Sequence, residues 1–117
     1  MEIKADKYSI TYSADEGIVT CNGSLLLNGM QEYDPIFQLL KTAAVERQAQ
    51  DLIIDIRDLK FLNSSGINMI TKFIIYISDV EPLNVDIIVV GYKRVAWQEK
   101  LSKNLKRLMP ALQTKLE

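Results

Sequence analysis

Two short, almost uninterrupted apolar runs constrain this chain more than any other feature. Leu52-Ile53-Ile54-Asp55-Ile56 and Val85-Asp86-Ile87-Ile88-Val89-Val90 are each of strand length, and the second stops at Gly91. Apolar residues on consecutive rather than alternate positions mark a strand covered on both faces in a parallel sheet. Between the runs, Ser64 to Ser78 has the length and period of a helix. Strand, helix and strand within about 40 residues form a right-handed crossover, so the centre of the fold is a parallel α/β unit.

The flanking segments extend this core. Tyr8 to Tyr12 alternates as a strand does and Gly17 to Leu27 reads as a second strand, with Asp15-Glu16-Gly17 as the hairpin turn between them. After Asn28-Gly29 the period lengthens: Ile36, Leu40, Ala43 and Arg47 follow helical spacing, widened by Phe37, Leu39 and Ala44. Asp34-Pro35 suits a cap followed by proline at the first helical position, with Met30 to Tyr33 left open as an earlier turn of the same helix. A last helix runs from about Val95 to Met109, with Trp97, Leu101, Leu105, Leu108 and Leu112 as its apolar stripe. Pro110 ends it or starts a final turn, because an interior proline costs about 3 kcal/mol. The 117 residues, 48% of them hydrophobic, suit one α/β domain over 1–117 with a single core.

Several function classes lack the residues they need. The chain has no histidine and one cysteine, Cys21, so neither the usual serine or cysteine hydrolase machinery nor a Cys/His metal site can be assembled. A lone cysteine also fits a reducing, cytoplasmic setting. Lys60 and Lys72 stand in the same segment as Ser64 and Ser65, but without an oxyanion motif, and Asp55 with Asp58 reads as turn chemistry and surface charge. Asn22-Gly23-Ser24 and Asn28-Gly29 are isolated turns, far from the spacing of a phosphate-binding loop. No pattern calls for a cofactor. The charged start, Met1 to Lys7, is unlike a signal peptide, and no stretch reaches the ~18 apolar residues of a membrane span.

Fourteen basic and fifteen acidic residues nearly cancel, leaving nothing global that attracts nucleic acid. The distribution is uneven, since residues 93–117 carry seven basic and two acidic side chains. A solvated helix face accounts for this first, and an acidic partner or a lipid head group second.

The unusual passage is Asp58-Leu59-Lys60-Phe61-Leu62-Asn63-Ser64-Ser65-Gly66-Ile67. It leaves a buried strand and enters a helix through a polar knot whose side chains can cap the free amides of the first turn. A phosphate on Ser64 would lie at the positive end of that helix, where about two negative charges are best tolerated. The residues alone support the cap before the switch. The helix beyond the knot carries one apolar face through Ile67, Ile70, Ile74 and Ile77 and another through Met69, Phe73 and Tyr76. Such a helix is wedged between neighbours, with the Trp97 helix expected on the second face, or it meets a partner. Asn68 and Lys72 would share the exposed rim beside Ser64.

Asp55-Ile56-Arg57-Asp58-Leu59-Lys60-Phe61-Leu62-Asn63-Ser64-Ser65-Gly66 resembles the signature of STAS domains, best known from bacterial anti-sigma factor antagonists. That signature is an aliphatic strand, a Leu-x-Phe step, then Asp-Ser-Ser/Thr-Gly opening a helix. The order of elements agrees along nearly the whole chain. Leu27-Asn28-Gly29-Met30, Asn63 to Phe73 and Asn104-Leu105-Lys106-Arg107-Leu108-Met109-Pro110 also look like a STAS-like regulator subfamily of cyanobacteria and other bacteria. The resemblance implies a mixed sheet of about four strands with helices mainly on one face.

It also implies a non-enzymatic partner switch. A serine kinase of the GHKL fold, acting as the anti-sigma factor, would phosphorylate the first signature serine, here Ser64 with Ser65 as second candidate, and a PP2C-type phosphatase would reverse this. Asn63, Ser64, Ser65, Gly66, Asn68 and Lys72 would form the docking surface, and phosphate would break it by repulsion. The chain departs from the signature at Asn63, where the family has aspartate. Asparagine keeps the cap but removes a charge that a kinase can read. The alternative is an unphosphorylated scaffold, or an accessory subunit of a membrane transporter or lipid-trafficking complex.

Overall fold

The computed structural model describes all 117 residues. The chain builds β1 (Glu2–Lys4), β2 (Tyr8–Ser13), β3 (Ile18–Leu25), α1 (Gly29–Glu46), β4 (Asp51–Asp55), β5 (Leu59–Leu62) and α2 (Ser64–Ile75). A π-helical turn, Tyr76–Val80, prolongs α2, and β6 (Asp86–Gly91), α3 (Ala96–Leu108) and β7 (Gln113–Leu116) complete the chain. All seven strands form one sheet in the order β1-β2-β3-β4-β6-β7, with β5 lying on the far half of β3.

The two apolar runs become parallel neighbours, β4 and β6, paired from Asp51↔Asp86 to Asp55↔Val90. β2 and β3 form the expected antiparallel pair from Tyr8↔Gly23 to Ser13↔Ile18. Gly17, at φ +69°, closes their turn in a conformation that costs other residues energy. One contiguous core forms: Ile10, Val19, Cys21, Leu52, Ile54, Ile87 and Val89 from the sheet meet Tyr33, Leu40, Met69, Phe73, Leu101 and Leu105 from the helices. On the sheet's other face Thr11, Ser13, Thr20 and Asn22 are half-exposed, and even Ile53 of the central β4 is only half-buried.

Four expectations need correction. The sheet has seven strands, not about four, because β1, β5 and β7 are three- or four-residue strands that exist only by pairing with a longer neighbour. α1 starts at Gly29, so Met30 to Tyr33 are the earlier turn left open by the sequence, and Asp34-Pro35 lies inside the helix instead of capping it. Its first turn is held by Glu32 Oε1, which accepts the Asn28 N–H at 3.0 Å, and by the burial of Tyr33. Along α3 the buried residues are Gln98, Leu101, Ser102 and Leu105, while Trp97 is half-buried and Leu108 is 43% exposed. The stripe is thus rotated, because two polar residues, not two apolar ones, complete it. Finally, α1 rather than the Trp97 helix covers the second face of α2: the Phe37 ring packs edge-on against Phe73 and Tyr76 at 6.4 and 6.0 Å between centroids.

Candidate functional site

The knot sits where the short β5 hands over to α2, so what holds β5 also positions the knot. β5 runs parallel to β3, pairing Gly23↔Leu59, Ser24↔Phe61 and Leu25↔Leu62 with a register shift after Gly23. Side chains from α3 satisfy backbone groups on its other side. Gln98 Oε1 accepts the Tyr92 N–H at 2.7 Å, and its Nε2 donates to the carbonyls of Ile56 at 2.7 Å and Leu59 at 3.2 Å. Trp97 Nε1 donates to the Lys60 carbonyl at 3.3 Å. Gln98 is 1% exposed, so its two bonds to the Ile56 and Leu59 carbonyls replace water that has no access.

At the exit of β5, Asn63 performs the complementary task. Its backbone N–H donates to the Leu25 carbonyl at 3.1 Å. Its Oδ1 accepts the Gly66 N–H at 2.9 Å, which caps α2, and lies 2.7 Å from the Tyr33 hydroxyl. The amide nitrogen donates to the Leu27 carbonyl at 2.7 Å. That last bond gives a physical reason for asparagine at this position: an ionised aspartate has no donor and would set an oxygen against a carbonyl oxygen. Burial raises the Tyr33 hydroxyl pKa, keeping it a donor. Gly66 is also dictated by packing, since a Cβ there would meet the Tyr33 hydroxyl at 2.7 Å and collide with Leu62.

The two serines are not equivalent. Ser65 Oγ accepts the Gly29 N–H at 3.2 Å, tying the start of α2 to the start of α1. Ser64 is exposed, and its side chain makes no hydrogen bond within the chain. Of the first four N–H groups of α2, that of Gly66 goes to Asn63 Oδ1 and that of Ile67 to the Asn63 carbonyl at 3.0 Å. Those of Ser64 and Ser65 remain free for water or an anion. No acidic residue lies in this first turn, and the N-terminal end of α1 abuts it, so two positive helix ends converge here.

Asn68 and Lys72 lie one and two turns beyond Ser64, and both are exposed, as expected for one outward line of α2. Ile67 adds an apolar patch at 38% exposure, and Phe61 and Leu26 stand out further at 60% and 54%. Across β3 and β5, Phe61 faces Ser24, two residues before Leu26, which places both apolar side chains on the sheet's helix-free face. Phe61 also borders a groove of about 480 Å³ shared with Arg57, Lys60, Tyr92 and Arg94. Tyr33, Gln98 and the exposure of Phe61 have no signal in the sequence, because each depends on contacts made across the fold.

The remaining reactive groups are structural. Asp55 Oδ1 accepts both the backbone N–H and the Nε of Arg57 at 3.0 Å, and Arg57 reaches Glu117 at 3.0 Å. Burial would raise the Asp55 carboxyl, but its bonds to Arg57 and the adjacent charge together hold it below the usual range. Asp55 is therefore a paired turn residue. Cys21 is buried, and burial, reinforced by the Asp55 charge, pushes its thiol up to about 12, so it is protonated and unreactive at neutral pH. No three His, Cys, Asp or Glu side chains cluster in a way that could hold a metal ion, and no helix is long and apolar enough to cross a membrane.

The sheet and helices together define a STAS-like fold. A chain in the crystal structure of the diguanylate cyclase SiaD in complex with its activator SiaC from Pseudomonas aeruginosa is similar, with a TM-score of 0.69 and 12% identity, over 99% of this chain and 97% of that one. SiaC of Pseudomonas aeruginosa is similar at a TM-score of 0.67 and 14% identity, over 100% and 96% of the two chains. No protein-family model matches the chain, and no curated protein sequence does. At these identities the likeness is one of fold.

Proposed function

We propose that this chain is a single-domain, non-enzymatic regulator that works by binding a signalling protein through the start of α2, and that phosphorylation of Ser64 releases it. The observation that carries this reading is the division of labour in the knot. Asn63 and Ser65 are committed to holding the two helices together, whereas Ser64 is exposed, unbonded and backed by free amides. A dianion there gains from the helix end without disturbing the fold, yet it changes the charge of the surface formed by Asn63, Ser64, Ser65, Gly66, Asn68 and Lys72.

The fold likeness to an activator that forms a complex with a diguanylate cyclase supports a protein partner. We take the modifying enzymes to be a GHKL-type serine kinase and a PP2C-type phosphatase, with the chain acting as substrate and ligand. Asn63 in place of the family's aspartate does not weaken the docking surface, because the asparagine amide is needed to hold Leu27.

The test is to incubate the protein with such a kinase encoded beside its gene and Mg-ATP, then map phosphate by mass spectrometry. Modification at Ser64 and not at Ser65 is expected. Absence of phosphate from both serines, under conditions where the kinase modifies another client, would overturn the phosphorylation step. No observation favours the membrane-accessory reading over this one: Lys103 is paired with Glu99 and Lys106 donates to the Leu112 carbonyl at 2.8 Å, so part of the basic face of α3 serves the fold.

A further inference from the structure

The sheet ends on one side at β1, and the pairing of β1 with β2 determines what that edge presents. Ala5 N–H donates to the Tyr8 carbonyl and Tyr12 N–H to the Met1 carbonyl, both at 2.9 Å, with Ile3 opposite Ile10. Alternate residues in an antiparallel ladder bond to opposite neighbours. Met1, Ile3 and Ala5 therefore turn their peptide groups to β2, and Glu2 and Lys4 turn theirs outward, two donors and two acceptors with no strand beyond them. The side chains of Glu2 and Lys4 are exposed and take part in no ion pair, Glu2 accepting only a 3.4 Å bond from the Thr11 hydroxyl. Ile3 faces the other way, half-buried, into an apolar groove of about 240 Å³ bordered by Met1, Pro35 and Leu39.

We propose that this edge recognises a second copy of the chain, joining two sheets through antiparallel β1 strands related by a two-fold axis at Ile3. Under that operation Glu2 lies opposite Lys4 of the second copy, and Lys4 opposite its Glu2. These are the residues whose peptide groups point outward, so each becomes a hydrogen-bonded pair and carries an ion pair of opposite charge, four backbone bonds and two ion pairs in all. The two Ile3 residues then form the close, non-hydrogen-bonded pair, with Cα atoms about 4.5 Å apart, and close the two apolar grooves over one another. A lysine alone protects a sheet edge from other strands. Glu2 two residues away turns that protection into self-recognition, because only a strand with the reversed charge order fits.

The opposite edge lacks this property. β7 exposes Gln113 and Lys115, and Glu117, the acidic residue two positions beyond Lys115, is already engaged by Arg57 at 3.0 Å with its own peptide group turned to Gly91 and Lys93. The proposal is independent of the Ser64 reading, since β1 pairs with β2, whereas the start of α2 is tied to α1 and β3.

A contact of this size gives reversible association that depends on concentration and weakens with salt. Sedimentation velocity of the full chain from about 10 μM to about 1 mM, the range of modest affinities, should show a shift from 13.3 kDa toward twice that mass. Lys4→Glu and Glu2→Lys should each remain monomeric, an equimolar mixture of the two should associate, and the double exchange should associate with itself. Circular dichroism should be unchanged, because both residues are exposed and unpaired in one chain. A wild-type chain that stays monomeric throughout, or a dimer indifferent to Lys4→Glu, would overturn the proposal.

Discussion

Two carboxamides hold the two ends of the same four-residue strand, and they do so in different surroundings. Gln98 at the entry of β5 is 1% exposed and serves three backbone groups, two of them in fully buried bonds. Asn63 at the exit is half-exposed, shares its oxygen between a helix amide and Tyr33, and stands next to an unbonded serine. The comparison teaches that burial, not residue type, separates scaffold from site. Gln98 has no freedom to do anything but support β5. Asn63 supports α2 and also presents Ser64 to solvent.

Breaking the buried end should have the largest effect. Gln98→Leu keeps the volume but strands the Leu59 carbonyl and the Tyr92 N–H and leaves the Ile56 carbonyl with only the Leu59 N–H, a loss of about 3 kcal/mol, read as a lower urea midpoint with unchanged slope. Asn63→Asp should cost less, about 1 to 2 kcal/mol, because the helix end welcomes the carboxylate while Leu27 loses its donor; a stability equal to wild type would show that the amide bond to Leu27 carries no weight. The serines sharpen the contrast at the small end. Ser65→Ala should lose about 0.5 to 1 kcal/mol with its bond to Gly29, and Ser64→Ala should stay within about 0.5 kcal/mol of wild type. Thermal melts of the pair, side by side, check the order.

The same contrast between buried and exposed support explains which features are legible in the sequence. β4, β6 and α2 are legible because the strands are almost uninterrupted apolar runs and the helix keeps one period throughout, and the role of Asn63 as a cap follows from local spacing alone. Gln98 is not: a glutamine among charged residues of an amphipathic helix looks solvent-facing, and that assumption turns the α3 stripe onto Trp97 and Leu108. β1, β5 and β7 escape for a related reason. Their three or four residues carry too little periodicity, and their hydrogen bonds are supplied by β2, β3 and β6. Within the site, Ser64 and Ser65 look alike in sequence, and only the approach of Gly29, 36 residues away, separates them.

The central claim is that the start of α2 is a docking surface gated by charge at Ser64. Its most direct test is calorimetric titration of the proposed kinase with wild type, Ser64→Ala and Ser64→Asp, each first shown to melt like wild type. The account predicts that Ser64→Ala binds within a few-fold of wild type and that Ser64→Asp loses at least about tenfold, or ~1.4 kcal/mol. Equal affinity of the aspartate variant and wild type would contradict it.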